Sequence, residues 1–305
     1  MRPIGFFSAL AGVCCGTGIF PELRRNSSWR VVWHLLLMSL LCSGLIGLRV
    51  CGELRRAWAG AAERCVAEFG PRLRFSAAGA RPERDPERPR FIALPKSGLL
   101  VYAAEAAKID FPAEALSVND YLVVWSRRFL AVAVRLDANK WDVQLMLPGP
   151  RTVVRRLERD GIPAFFNGEL AGNTPAGSWP FSDLPPIDVT WLLRTIGTIF
   201  IVSWFFGEWF GIFMGGVFCT GVFAIFSRIS GAARLRGLTG LEYWRVGVYA
   251  GFPGMLIGAV AEALDLPFLT YMMVYVPALA IYWLPAALAC SAEPPRPGEG
   301  NPPAV

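Results

Sequence analysis

Residues 31–48 read VVWHLLLMSLLCSGLIGL, and this stretch decides the fold. Arg30 and Arg49 close it, and no Asp, Glu, Lys or Arg lies between them. In a helix these 18 residues would cover about 27 Å, which is close to the ~30 Å hydrocarbon core of a bilayer. We therefore predict that residues 31–50 form the first transmembrane helix.

The composition of the whole chain is that of a membrane protein. Of the 305 residues, 54% are hydrophobic and 18% are charged, and the mean hydropathy is +0.41. Soluble domains carry about 25% charged residues. Four more apolar runs follow in the second half, at residues 189–206, 209–227, 246–261 and 266–289. The sequence thus predicts a membrane α-helical bundle of about five spans, with four helices in residues 189–290.

A polar segment, residues 51–188, separates the first span from the others and predicts a small α+β module. Its charges nearly balance, with 19 basic and 17 acidic residues. Apolar residues recur at steps of three and four between Leu54 and Phe69, which predicts an amphipathic helix that Gly70 ends. The other predicted elements are a β-hairpin at 90–94 and 99–103, strands at 121–125, 129–135 and 141–147, a short helix at 151–160 and a solvated loop at 81–90.

The two ends of the chain are predicted to be peripheral. Residues 1–30 predict an N-terminal segment that lies in the membrane interface. Its helix would turn Phe6, Phe7, Leu10 and Val13 toward the lipid. Residues 291–305 are rich in proline and predict a disordered tail.

The sequence lacks the motifs of common catalytic and cofactor sites. It contains no GxxxxGK[ST], GxSxG or HExxH motif. His34 is its single histidine, which excludes metal centres that need two histidine ligands. Seven cysteines without CxxC spacing argue against a disulfide framework and a zinc site. The Arg-rich stretch 81–90 lacks the aromatic residues of a nucleic-acid surface. We therefore expect no enzymatic activity, no cofactor, no metal and no nucleic-acid partner.

Glycines in two of the predicted spans are spaced for close helix packing. Glycine at every fourth position lets two helix backbones approach each other. One interpretation is packing within the bundle, which predicts that Gly211→Leu destabilises it more than Gly216→Leu. The other is self-association with a second copy of the chain. The glycines concerned are Gly207, Gly211, Gly215, Gly247, Gly251, Gly254 and Gly258.

Three polar residues are candidates for a role in the membrane: Arg194, Glu208 and Glu262. An acidic side chain in lipid is costly and marks ion or proton sites. We favour the alternative that both acids lie at turns between spans, where headgroup water solvates them. Arg194 lies near the start of a span, from which it can pair with a lipid phosphate. His34 has no acidic residue nearby in sequence and is predicted to be a hydrogen-bonded interfacial residue.

The positive-inside rule gives conflicting indications of orientation. Three arginines in residues 24–30 precede the first span, and four in residues 228–245 follow the third. With five spans these two groups fall on opposite sides of the membrane. The arginines in residues 49–64 favour a cytoplasmic module. Unbridged Cys51 and Cys65 also suit the reducing side.

Residues 241–253, LEYWRVGVYAGFP, resemble the motif before the penultimate span of the DUF1189 family. That family comprises bacterial multi-pass proteins distantly similar to Yip1-type membrane proteins, with the same order of N-terminal segment, span, α+β module and four spans. This chain departs from it in the loop 81–90 and at residues 101–103, where Val-Tyr-Ala replaces an Asp-Thr pair. The resemblance implies the bacterial inner membrane and no catalytic residues. Because some members are associated with maltodextrin utilisation, it also implies an accessory role in uptake.

The function we expect is that of a non-enzymatic integral membrane protein whose module binds a partner or ligand, as an accessory to carbohydrate uptake. The alternatives are a transporter subunit, which needs polar residues in its spans, and a lipid-acting membrane enzyme. The enzyme would have to use Glu208 and Glu262, the available acids. The expected partners are the lipid bilayer and either another membrane protein or a second copy of this chain.

Overall fold

The computed structural model describes residues 4–76, 79–104, 109–112, 114–127, 129–147, 152–169, 184–229, 238–266 and 268–291. The chain forms two compact units, of which one is Met1–Gly52 with Val202–Val305 and the other is Glu53–Ile201. We call the first the bundle unit and the second the module unit. Both boundaries fall inside long helices, so the module unit includes residues beyond the predicted 51–188. The predicted tail lies outside the described residues, apart from Ser291.

The described helices are α1 (Phe6–Cys15), α2 (Phe20–Leu23), α3 (Ser28–Phe69), α4 (Ala115–Val118), α5 (Gly161–Ala164), α6 (Val189–Ile229), α7 (Gly240–Ala263) and α8 (Tyr271–Ser291). A π-helical turn, Phe165–Glu169, follows α5. The described strands are β1 (Arg72–Ser76), β2 (Gly79–Pro82), β3 (Arg90–Leu94), β4 (Gly98–Ala103), β5 (Tyr121–Ser126), β6 (Leu130–Arg135), β7 (Lys140–Met146), β8 (Thr152–Glu158) and β9 (Ile187–Asp188). They form a three-stranded sheet in the order β2-β1-β9 and a six-stranded sheet in the order β3-β4-β5-β6-β7-β8.

Four helices, α3, α6, α7 and α8, are long and apolar enough to cross a membrane. The prediction of five spans is wrong, because residues 189–206 and 209–227 belong to one helix, α6. Only Gly207 and Glu208 stand between these runs, without proline or a turn-forming pair, so the helical hydrogen bonds continue. The 41 residues of α6 extend over about 61 Å, roughly twice the hydrocarbon core. The sheet-containing module follows the first of the four helices, as predicted.

The bundle unit is built around one face of α3. Its fully buried side chains follow steps of three and four residues, which is the spacing of one helical face. The N-terminal helices α1 and α2 pack against α7 and α8, so the segment 1–30 contributes to this core as well. The prediction that Val13 faces the lipid is wrong, because Val13 is buried in this core with Phe6 and Leu10 packed against it, whereas Phe7 is 80% exposed. The buried hydrophobic residues that α3 contributes to the bundle unit are Val31, Leu35, Met38, Cys42 and Ile46.

The six-stranded sheet forms the centre of the module unit. β3 and β4 are the predicted hairpin, and β5, β6 and β7 match the three predicted strands. β4 and β5 are parallel, whereas the other neighbouring pairs are antiparallel. Successive side chains of a strand point to opposite faces. Val101 and Leu100, for example, belong to two different hydrophobic cores, so both faces of the sheet are covered.

The helix predicted at residues 151–160 is wrong: residues 152–158 form β8, which pairs antiparallel with β7. Val153, Val154 and Leu157 fit the spacing of a helical face. In the strand, Val153 and Leu157 pack against the core while Val154 is 62% exposed. The edge of β7 offers backbone hydrogen-bond partners, which cannot be read from the sequence of residues 151–160. Pairing with β7 therefore outweighs the helical spacing of the apolar residues in this segment.

Candidate functional site

An apolar cavity of about 290 Å³ lies within the module unit. One face of the six-stranded sheet, strands β1 and β2, the last turns of α3 and the first turns of α6 line it, and it is partly open, since the lining residues Met146 and Ile196 are each 42% exposed. Its surface is formed by apolar atoms. The volume is near the lower end of the roughly 300–1,000 Å³ range of small-molecule sites. This cavity is the candidate functional site.

Strand pairing builds the floor of the cavity. Leu100 of β4 pairs with Val123 of β5. Trp125 of β5 pairs with Leu130 of β6, which in turn pairs with Met146 of β7. Paired residues of neighbouring strands project from the same face of a sheet. These five side chains therefore form one continuous apolar surface across four strands.

Two helices close the cavity on the other side. α3 contributes Cys65 and Phe69, which lie one turn apart, and α6 contributes a face that ends at Ile196. The two helices approach closely at Gly197, where an added Cβ would lie 2.8 Å from Cγ of Trp58. The predicted amphipathic face of residues 54–69 is confirmed, since Trp58, Cys65 and Phe69 are all at least 94% buried.

The wall of the cavity exposes no polar atom among the described residues. Ser126 is the lining residue with a hydroxyl, and its Oγ accepts a hydrogen bond from the backbone N–H of Phe129 at 3.1 Å. A polar ligand group placed here would lose its water without gaining a partner, at a cost of about 1–3 kcal/mol. Walls of this kind favour a hydrocarbon over a polar group.

An aromatic cluster separates the cavity from a charged pair. The ring centroid of Tyr102 lies 5.2 Å from that of Phe69 and 4.6 Å from that of Trp125. The Tyr102 hydroxyl donates to Asp85 Oδ1 at 2.7 Å, and Arg127 donates to Asp85 Oδ2 from Nε at 2.9 Å and also from Nη2. Burial, and then the hydrogen bond to Asp85, raises the pKa of Tyr102. The stretch 81–90 is mostly exposed, as predicted for a solvated loop, but it is anchored at Asp85, and its ends belong to β2 and β3.

The predicted packing glycines divide into two groups. On α7, a Cβ added at Gly247 would lie 1.5 Å from the Trp283 ring, and one added at Gly258 would lie 2.9 Å from the backbone oxygen of Tyr271, both on α8. Gly251 and Gly254 lie against Tyr275 and Ala278 of the same helix.

On α6, the expectation of packing within the bundle is wrong for Gly207, Gly211 and Gly215. An added Cβ at each would have no described neighbour within 4 Å. Gly216, the next residue, does pack: a Cβ added there would lie 3.1 Å from Leu35 Cδ1, because α6 turns that side toward α3. Self-association through the first three glycines stays a prediction.

The three candidate polar residues do not form one site. The expectation that Glu208 lies at a turn is wrong: it is half-buried in the interior of α6, because that helix is continuous. Glu262 does lie near the end of α7, where its Oε2 accepts a hydrogen bond from the backbone N–H of Tyr271 at 3.0 Å. Arg194 is exposed on α6 in the module unit, beside a groove that Glu63 also lines.

His34 has a hydrogen-bonded structural position, as the sequence analysis favoured, but it is buried. Its Nδ1 lies 2.9 Å from the Tyr249 hydroxyl, which also accepts a hydrogen bond from Asn26 Nδ2 at 2.9 Å. All three side chains are at most 5% exposed. The group links α3 to α7 within the bundle unit. Among the described residues, no cluster of three or more His, Cys, Asp or Glu could hold a metal ion.

Sequence reasoning missed the cavity, although one signal pointed toward it. β4 and β5 read GLLVYA and YLVVWS, with apolar residues on both faces. Strands of this kind are covered on both sides. This pattern predicts a layer over each face of the sheet, but it does not predict a gap in one of those layers.

No protein-family model matches this chain, and the searches of curated proteins and of solved structures likewise found no match. The resemblance of residues 241–253 to the DUF1189 family therefore stays a prediction from the sequence.

Proposed function

We propose that this chain is a non-enzymatic multi-pass protein of the bacterial inner membrane whose module binds a hydrocarbon chain in the apolar cavity. The observation that carries the proposal is the cavity itself, with walls formed by apolar atoms. The cavity, of about 290 Å³, is open on the side of Met146 and Ile196, each 42% exposed, so that a ligand can enter it. Because its walls are apolar, a hydrocarbon chain matches them better than a polar molecule does.

We propose the orientation of the chain in the membrane from the number of long apolar helices and from the arginines at one end of the bundle unit. Arg24 Nη1 donates to the backbone oxygen of Cys290 at 3.0 Å. Arg245 donates to the backbone oxygen of Arg24 at 3.3 Å and to Ser28 Oγ at 3.0 Å. These contacts support one arginine-rich end of the bundle unit, shared by the segment before α3, the start of α7 and the end of α8.

The positive-inside rule then assigns that arginine-rich end to the cytoplasm. With four spans, the arginine groups of residues 24–30 and 228–245 fall on the same side, and the conflict found with five spans disappears. The module follows one span, so we place it outside the cytoplasm. This reverses the orientation favoured by the count of arginines in residues 49–64.

A carbohydrate is a poor ligand for the cavity, because sugar hydroxyls need hydrogen-bond partners. An accessory role in carbohydrate uptake therefore rests on the family resemblance alone. The alternative of a transporter subunit has one observation in its favour, the half-buried Glu208 inside α6. Acidic residues within spans mark ion or proton pathways.

Photolabelling of the full chain in detergent tests the binding proposal. The probe is a free fatty acid with a diazirine in its chain, and mass spectrometry locates the adducts. We expect adducts on β4 and β5. Ala80→Phe, which fills the cavity, should reduce them about tenfold, since overpacking costs about 1–3 kcal/mol. Ala93→Phe, the same change at an exposed position on β3, is the control. Equal labelling of both variants, or none on these strands in the unmodified chain, would refute the proposal.

A further inference from the structure

Three arginines lie together at one end of the bundle unit, and contacts within that unit hold them there. Arg245 of α7 donates from Nη1 to the backbone oxygen of Arg24 at 3.3 Å and from Nη2 to Ser28 Oγ at 3.0 Å. Arg30 lies on the first turn of α3, and both Arg30 and Arg245 interact electrostatically with the Tyr249 hydroxyl. We call Arg24, Arg30 and Arg245 the arginine site.

The two segments that form the arginine site carry an excess of positive charge. Residues 20–30 and 239–249 together contain four arginines and two glutamates, which leaves a net charge of +2. Glu242 interacts electrostatically with Arg24 and Arg245, but one carboxylate does not balance several guanidinium groups. Like charges held close together repel one another. An anion bound among these arginines therefore lowers the repulsion that the protein itself leaves uncompensated.

The position of Arg30 along α3 puts the arginine site at the level of lipid headgroups. Arg30 directly precedes the apolar stretch 31–48, which is long enough to span the hydrocarbon core. Trp29 and Trp33 lie one turn apart on the same helix and are 76% and 54% exposed. Tryptophan is enriched at the interface between membrane and water, where its ring lies at the headgroup level. The anion that meets Arg30 is therefore a lipid headgroup rather than a solute in bulk water.

An apolar surface for an acyl chain begins beside Arg30. At about 100° per residue, Trp29, Trp33 and Leu40 lie within about 40° of one another on one side of α3. Leu40 is 44% exposed, so this side stays open over two further turns. Arg30 lies about 60° from Trp33 around the helix. One lipid molecule can therefore place its phosphate at Arg30 and a chain along Trp33 and Leu40.

We propose that the arginine site binds the headgroup phosphate of an anionic phospholipid, with an acyl chain along Trp33 and Leu40. Clusters of basic residues at a membrane surface attract anionic lipids. A zwitterionic phospholipid brings no net charge and leaves the excess charge of this end uncompensated, whereas phosphatidylglycerol neutralises part of it. All residues of the site belong to the bundle unit, so the proposal is independent of ligand binding in the module unit.

Native mass spectrometry of the full chain in non-ionic detergent tests the proposal, with phosphatidylglycerol or phosphatidylethanolamine of the same acyl chains as the added lipid. We expect the first phosphatidylglycerol to bind more tightly than the first phosphatidylethanolamine. Arg30→Gln should weaken the binding of phosphatidylglycerol about fivefold, the effect of about 1 kcal/mol for one basic residue. Arg49→Gln is the matched control and should leave it unchanged. Arg49 closes the other end of the same apolar stretch, but its charge is already paired with Asp265 at 2.8 Å.

Two additions separate charge from structure and lipid from solute. Arg30→Lys keeps the charge and should retain most of the binding, so losses as large as those of Arg30→Gln would overturn the electrostatic argument. Inorganic phosphate at the concentration of the lipid should not displace phosphatidylglycerol, and displacement would overturn the lipid as the source of the anion. Equal affinity for the two lipids, or equal losses in Arg30→Gln and Arg49→Gln, would overturn the arginine site.

Discussion

The packing of α7 on α8 makes a quantitative prediction at Gly247. A Cβ added there would lie 1.5 Å from Cζ3 of Trp283, and two more ring atoms would lie 2.2 and 2.7 Å away. Trp283 is 4% exposed, so its ring has little room to move and the two helices must separate. Overpacking costs about 1–3 kcal/mol, and Ala in place of Gly in a helix returns about 0.5–1 kcal/mol. The difference is about 0–2.5 kcal/mol, and because a separation of 1.5 Å is a severe overlap, we expect Gly247→Ala to lower the free energy of unfolding by about 1–2.5 kcal/mol.

Gly211→Ala is the matched control, because an added Cβ meets no described neighbour within 4 Å. It should keep the helix-propensity gain and raise the free energy of unfolding by up to about 1 kcal/mol. Equilibrium unfolding of the full chain in mixed micelles, with increasing sodium dodecyl sulfate and tryptophan fluorescence as the signal, measures both variants. A neutral Gly247→Ala, or equal losses in the two variants, would refute the assigned packing.

Three further predictions follow from other parts of the chain. Gly216→Leu should destabilise the bundle unit more than Gly211→Leu, because a Cβ at Gly216 would lie 3.1 Å from Leu35. The dodecyl sulfate titration described above measures both variants, and the reverse order would contradict the packing of α6 on α3 at Gly216. Burial raises the pKa of Tyr121 to about 12, whereas an unfolded tyrosine titrates near pH ~10. The part of the stability that depends on the protonated hydroxyl is therefore present below about pH 10 and is lost as the pH rises toward 12. Tyr121→Phe should make the decline of the unfolding free energy over this pH range less steep. An unchanged decline would argue that Tyr121 is not buried. Alkaline phosphatase fused after Gly168 should be active if the module lies outside the cytoplasm, as we propose, and an inactive fusion present at normal level would reverse the proposed orientation.

The sequence predicts well the elements whose pattern is local. The face of α3 from Leu54 to Phe69 repeats at three and four residues, and all its predicted members are buried. The β3–β4 hairpin is a second example, since the Pro-Lys-Ser turn between two apolar runs is a local signal.

Prediction fails where distant partners decide the outcome. β8 is a strand because β7 offers it a pairing edge, and residues 151–160 alone resemble a helix. The continuity of α6 is a different case, because nothing in the sequence around Gly207 and Glu208 requires a break, and span length alone suggested one. The orientation that we propose for the module with four spans is the reverse of the one favoured with five, since each span moves the chain to the other side.

The cavity could not be predicted because it belongs to no single segment. Its walls come from α3, β1, β2, the six-stranded sheet and α6, which span residues 65–196 of the chain. Hydrophobic patterning predicts which residues are inside, but the gap between them depends on how these elements pack in three dimensions.

The most direct test is a cryo-electron-microscopy map of the full chain in phospholipid nanodiscs, examined at the apolar cavity. We expect elongated, unbranched density between the sheet residues Leu100 and Val123 and the α6 residue Leu193, with the length and width of a hydrocarbon chain. A cavity filled by the protein's own side chains, or occupied by water-sized peaks hydrogen-bonded to polar atoms, would contradict the proposal that this module binds lipid.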